Sequence, residues 1–132
     1  MAGSLTTSEA NSVLDDLFYT PTVYAALCDA SPGDAGDMAG QELAASYAYE
    51  RTAMTFGTQA SARSISISAD LTFPAASGGD WGTVTHLAIC TAAVEGVDDA
   101  KAWGPLTVSK LVEDADQLKF ASGNVTVSFA AG

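Results

Sequence analysis

From Ser64 to Phe73, polar and apolar side chains alternate without a break. Ile65, Ile67, Ala69, Leu71 and Phe73 fall on one register; Ser64, Ser66, Ser68, Asp70 and Thr72 fall on the other. A strand sends successive side chains to opposite faces, so a period of two implies one buried face and one wet face. A helix, with its period of 3.6, gains nothing from that spacing. Pro74 and the Gly78-Gly79 pair end the run.

Most of the chain after Pro21 reads the same way. Residues 22–28 (TVYAALC) and 47–56 are rich in β formers. Residues 83–91 (TVTHLAICT) are apolar on both registers, with Val84, Ala88 and Cys90 on one and Leu87 and Ile89 on the other. Such a strand is expected at the centre of a sheet, or beneath another element or subunit. Residues 102–112 read as a strand broken at Gly104-Pro105. Leu118 to Phe120 and Val125 to Phe129 read as two more, joined by a tight hairpin at Ser122-Gly123-Asn124. Residues 31–40 and 92–100 are loops, the second acidic.

One helix precedes them. Ala10, Val13, Leu14, Leu17 and Phe18 lie at the spacing of a single apolar stripe. Thr6 with Glu9 three residues on forms a capping box, and Pro21 stops the helix. A helix this short is expected to depend on docking against a sheet. The expected fold is therefore mostly β: an antiparallel sandwich or barrel of about seven strands with one short N-terminal helix. At 132 residues the chain is expected to be a single domain, 1–132, with a helical segment over 1–20 and a β body over 22–129.

Charge narrows the function. Sixteen acids against five bases give a net charge of −11. That field repels phosphate, so no nucleic-acid partner is expected. No apolar run approaches the ~20 residues of a membrane span, so no membrane role is expected either. Residues 1–12 lack the basic and apolar runs of a signal peptide, which sets the expectation of a cytosolic origin. Cys28 and Cys90 are too few for a disulfide framework and are expected to be small buried thiols.

Chemistry is sparse. His86 is the sole histidine, and no nucleophile motif stands near it in sequence. It reads as a structural or interface residue; in a subunit contact it would make assembly sensitive to pH. The acids of residues 29–37 do not have EF-hand spacing, and phosphate-cradling glycine motifs are absent. No catalytic residue, cofactor or metal ligand is assigned. Trp81 and Trp103, with Tyr47 and Tyr49, read either as turn-locking core residues or as aromatic anchors of a contact. The candidate interaction residues are thus Tyr47, Tyr49, Trp81, His86 and Trp103.

Residues 71–89 (LTFPAASGGDWGTVTHLAI) resemble a family of small bacteriophage virion proteins. Residues 22–27 (TVYAAL), 46–56 (SYAYERTAMTF), 103–110 (WGPLTVSK) and 120–129 (FASGNVTVSF) match that family in the same order. The most specific part is Asp80-Trp81-Gly82 followed by the strand Thr83-Val84-Thr85-His86. The chain departs from the family in a longer acidic insertion over 95–101. Members are commonly labelled tail-fibre proteins. The resemblance implies a non-enzymatic structural subunit of the virion and supplies no catalytic residue.

The leading expectation is a capsid-surface decoration protein that clamps major capsid subunits from the outside of the head. Strong negative charge suits an outer surface, because packaged DNA would repel it from the inside. The alternative is a tail- or head-fibre component. A carbohydrate- or host-surface-binding module on the tryptophans and tyrosines ranks behind both, and a small hydrolase last. Expected partners are the major capsid protein or other virion proteins, and further copies of the chain, with a trimer favoured.

Overall fold

The computed structural model describes residues 3–130. Thr6 starts the helix where its side chain suggests: its Oγ1 accepts the Glu9 N–H at 3.2 Å, satisfying one of the donors that a helix start leaves open. Helix α1 (Thr7–Leu14) then widens into a π-helical turn, Asp15–Tyr19, closed by the Thr20 N–H on the Asp15 carbonyl at 2.9 Å. Ala10, Leu14 and Phe18 are buried, and the widened turn leaves Leu17 facing out at 36% exposure. The expected stripe is therefore narrower by one residue.

The chain forms two compact units. Among the described residues the first takes 3–22, 54–71 and 120–130. In it β3 (Ser64–Ser66) pairs antiparallel with β8 (Thr126–Ser128), Ile65 opposite Val127. Helix α1 is tied down beside β3 by polar side chains: Asn11 Oδ1 accepts the Arg63 N–H at 2.9 Å, and Asp15 Oδ1 accepts the Ala60 N–H at 2.7 Å. Phe18 stacks at a tilt on Phe56, centroids 5.7 Å apart. The Arg63 guanidinium reaches the carbonyls of Leu5 (2.6 Å), Phe129 (3.4 Å) and Ala130 (3.1 Å).

The second unit takes residues 23–53 and 72–119. Its sheet contains β1 (Val23–Cys28), β2 (Thr52–Met54), β5 (Gly82–Cys90) and β6 (Ala100–Val112) in the order β2-β1-β5-β6. Strand β5 is central, as its doubly apolar pattern suggested, with Ala26 opposite Ala88 on one side and Trp103 opposite Ala88 on the other. Ala26, Cys28, Ala88 and Cys90 pack with Met38 of the single-turn helix α2 (Met38–Gln41). Cys28 lies opposite His86 and Cys90 opposite Tyr24, four positions apart along the ladder. That is roughly 13 Å at strand rise, beyond the ~7 Å between Cα atoms that a disulfide tolerates. Both thiols are free and buried.

Among the described residues the architecture is antiparallel β with one short N-terminal helix, in eight strands and without a closed barrel. Three local readings change. The alternation over 64–73 buries Ile65, Ile67, Leu71 and Phe73, but bends after Ile67 leave only β3 and β4 (Leu71–Thr72) as strand. Residues 122–124 do turn, with the Asn124 N–H on the Ala121 carbonyl at 3.0 Å. They form no hairpin, because β7 (Lys119–Phe120) pairs with β4 whereas β8 pairs with β3. Finally, β6 runs unbroken through Gly104-Pro105; it is an edge strand, where proline is tolerated.

Candidate functional site

Two clusters absorb the aromatic candidates. Tyr47 and Ala48 adopt left-handed φ angles of 52° and 68°, which ends any strand before β2 and turns the Tyr47 carbonyl toward the 77–81 loop. That carbonyl accepts the Trp81 indole N–H at 2.8 Å and the Ser77 N–H at 3.0 Å. Trp81 meets the Tyr49 ring edge-on, centroids 5.4 Å apart. Tyr49 is buried; its hydroxyl donates to Glu42 Oε2 at 2.6 Å and accepts the Leu27 N–H at 3.0 Å. Tyr47, Tyr49 and Trp81 therefore come together as a turn lock. His86 and Trp103 form the second cluster, centroids 5.8 Å apart, with His86 Nδ1 hydrogen-bonded to Thr85 Oγ1 at 2.8 Å. Trp103 is 39% exposed on β6.

The strongest electrostatic feature escaped the sequence reading. Arg51 is buried together with the Glu42 carboxylate, and all five of its N–H donors have acceptors. Nε and one Nη2 hydrogen grip Glu42 in a fork, at 3.0 and 2.9 Å. Nη1 donates to Asp99 Oδ1 at 2.8 Å and to the Ala92 carbonyl at 2.9 Å, and Nη2 also reaches the Val97 carbonyl at 2.9 Å. Glu42 Oε1 in turn accepts the Gly96 N–H at 2.8 Å, while Asp99 Oδ2 accepts the Ala92 N–H at 2.7 Å and the Thr91 hydroxyl at 3.0 Å. Asp98 Oδ1 accepts the Met38 and Ala39 N–H groups at 2.8 and 2.9 Å. Residues 91–99, the acidic loop between β5 and β6, are thus held at both flanks, 91–92 and 96–99.

The titrating groups carry the mark of this hub. Burial opposes the charge on Asp99, but hydrogen bonds from Arg51, the Ala92 N–H and Thr91 outweigh it and hold the carboxyl below its ordinary 3.8. Burial, then the hydrogen bond to Glu42, pushes the Tyr49 hydroxyl well above the usual phenol range. Burial, with the Glu42 carboxylate next, pushes the Cys28 thiol up to about 12. Burial likewise pushes Cys90 up to about 12 against the pull of Arg51.

Loop carboxylates elsewhere also serve backbone amides. Asp37 caps Gly40, Asp114 caps Gly78, Asp80 caps Asp114 and Asp116 caps Glu113, at 2.8–3.0 Å. Among the described residues no group of three or more His, Cys, Asp or Glu side chains is placed to hold a metal ion. Among them, too, no helix is long and apolar enough to cross a membrane.

The sheet edge has a different character. Strand β6 presents Val108 and Leu111 at 63% and 60% exposure. Val84 pairs with Lys110 and His86 with Pro105, so residues 106–109 bulge opposite Thr85 alone. Beside its last residues lies an open groove of about 380 Å³, lined by Lys110, Leu111, Val112, Asp116, Gln117, Leu118 and Lys119.

No curated protein matches the chain. The family model described as Podophage GP4 fiber I protein gp80 matches residues 4–128, a span that holds the resemblance segments up to their last residue, Phe129. The chain belongs to that family of phage virion structural proteins.

Proposed function

We propose that this chain is a non-enzymatic building block of a virion fibre, contacting further copies of itself and other virion proteins. The observation that carries this reading is the match to a fibre-protein family over residues 4–128. The chemistry of the chain agrees with it. The buried Arg51 has all its donors occupied by structural bonds, and the His86 ring is held by Thr85 and packs against Trp103. Among the described residues, five of the ten exposed large apolar side chains, Val94, Val97, Trp103, Val108 and Leu111, lie on β6 and the loop before it, where they offer a contact surface.

Capsid decoration is the second reading, and the net charge of −11 favours it by suiting the outer face of a DNA-filled shell. Labelling this chain on intact particles separates the two. Label on projecting fibres, at tens of copies or fewer per particle, supports the fibre reading. Label spread over the head at roughly hundreds of copies, as closed shell symmetry would multiply them, overturns it in favour of decoration. In that case particles lacking the chain should release DNA at lower temperature.

A further inference from the structure

The Arg51 hub sets a physical puzzle. Arg51 and Glu42 anchor the flanks of the 91–99 loop at Ala92 and at Gly96–Asp99, and Asp98 ties it to the start of α2, yet the loop leaves Val94 and Val97 facing solvent at 60% and 42% exposure. Fixing exposed apolar side chains gives the isolated chain little stability. It does lower the ordering cost of a contact made by those side chains. The opposite end of the same hairpin is complementary. Strand β6 carries Lys101 and Lys110 and no acid, on a chain whose net charge is −11. Lys110 and Leu111 are exposed at its far end, some eight strand positions from the loop, roughly 26 Å away. Among the described residues no carboxylate pairs with Lys110, and none of the cations pairs with Glu95 at the loop tip. Of the acids near this end, Asp116 lines the groove and accepts the Glu113 N–H, Asp114 accepts the Gly78 N–H, and Glu113 is exposed; none of them forms an ion pair with Lys110 among the described residues. Strand β6 is also a sheet edge, with backbone groups open on its outer side.

We propose that residues 94–97 of one copy dock on the Lys110–Leu111 end of β6 in a second copy, with Val94 and Val97 against Leu111 and Glu95 facing Lys110. The two ends of the hairpin differ, so the contact is heterologous: copies close into a ring if the rotation permits and otherwise extend in a line. The charge on β6 argues against its pairing with a second β6, which would set lysines on both sides of the contact. The proposal deepens the fibre reading and rests on it for its occupant, a second copy.

Sedimentation velocity on the full chain tests it. Association is expected at ~50 mM salt and should weaken at ~500 mM, where charges more than a few ångströms apart are screened. K110E and E95K should each raise the dissociation constant about tenfold, and the double variant E95K/K110E should recover to within about threefold of the wild type. L111D should abolish association while leaving the thermal midpoint unchanged. In a mixture of V97C and L111C chains, oxidation should link one copy to the other, since the native thiols are buried. A wild-type chain that stays monomeric at low salt, or a double variant no better than the singles, overturns the proposal. Neither result bears on where the chain sits in a particle, so the fibre reading stands or falls separately by labelling.

Discussion

Arg51 shows how one residue can organise a loop that lies 40 to 48 positions away in sequence. A buried guanidinium is tolerated only when every donor is matched and its charge is compensated. Here Glu42 and Asp99 supply the charge, and two carbonyls take the remaining donors. Arg51→Ala should therefore cost about 3–5 kcal/mol, because it strands the Glu42 carboxylate without its cation in the interior; the denaturation midpoint reads it. Arg51→Lys should recover only part, since an ammonium cannot form the fork to Glu42. Acid should loosen the same loop. Asp99 has a lowered folded pKa, so its contribution is complete above the ordinary 3.8 and is lost as pH falls through the folded value. Amide protection of Ala92, which donates to that carboxylate, should drop below about pH 4 while the β1–β5 ladder persists. The two thiols offer an independent check. With pKa values near 12 and no exposure, Cys28 and Cys90 should resist maleimide at pH 8 in the folded chain and react once denatured. None of this hub was legible in the sequence. Arg51 stands there between Glu50 and Thr52, and nothing local selects its partners from sixteen acids.

At the scale of elements, periodicity was a good guide to burial and a poorer guide to pairing. The alternation at 65–73 named most of the side chains that go inside, Ile65, Ile67, Leu71 and Phe73, but not Ala69, which the bend after Ile67 leaves exposed. It could not show that the strand bends after Ile67, because β3 and β4 join different sheets. The same limit applies to the aromatic candidates. The β-rich composition of 47–56 predicted a strand, but left-handed backbone at Tyr47 and Ala48 converts its start into a turn, held by the Trp81 indole. That turn can be tested. Ala48→Gly should raise stability by up to ~1 kcal/mol, because glycine adopts the left-handed region without the steric cost that alanine carries. Gly79→Ala should act in the opposite direction, since a new Cβ would stand 2.7 Å from the Tyr47 ring and displace it. Urea midpoints of the two variants should move apart.

For the whole molecule, net charge and loop chemistry are linked. An average of about 25% charged residues would normally supply both signs; this chain has 16%, mostly acids, and spends many of them on backbone amides in its turns. The remaining negative charges repel one another across the folded chain. Salt near ~0.5 M should therefore raise the thermal midpoint by a few degrees through screening, which calorimetry can follow. The family was legible because its motifs span the whole chain; the two-unit division was not, because each unit collects segments far apart in sequence.

The grip of Arg63 on Leu5, Phe129 and Ala130 has a practical consequence for anyone handling this protein. Segments near both ends of the described chain lie within the span of one guanidinium. A short glycine-rich bridge should therefore suffice to join residue 5 to residue 130 directly. New ends could then be opened in an exposed turn elsewhere, giving a rearranged chain that keeps the native fold.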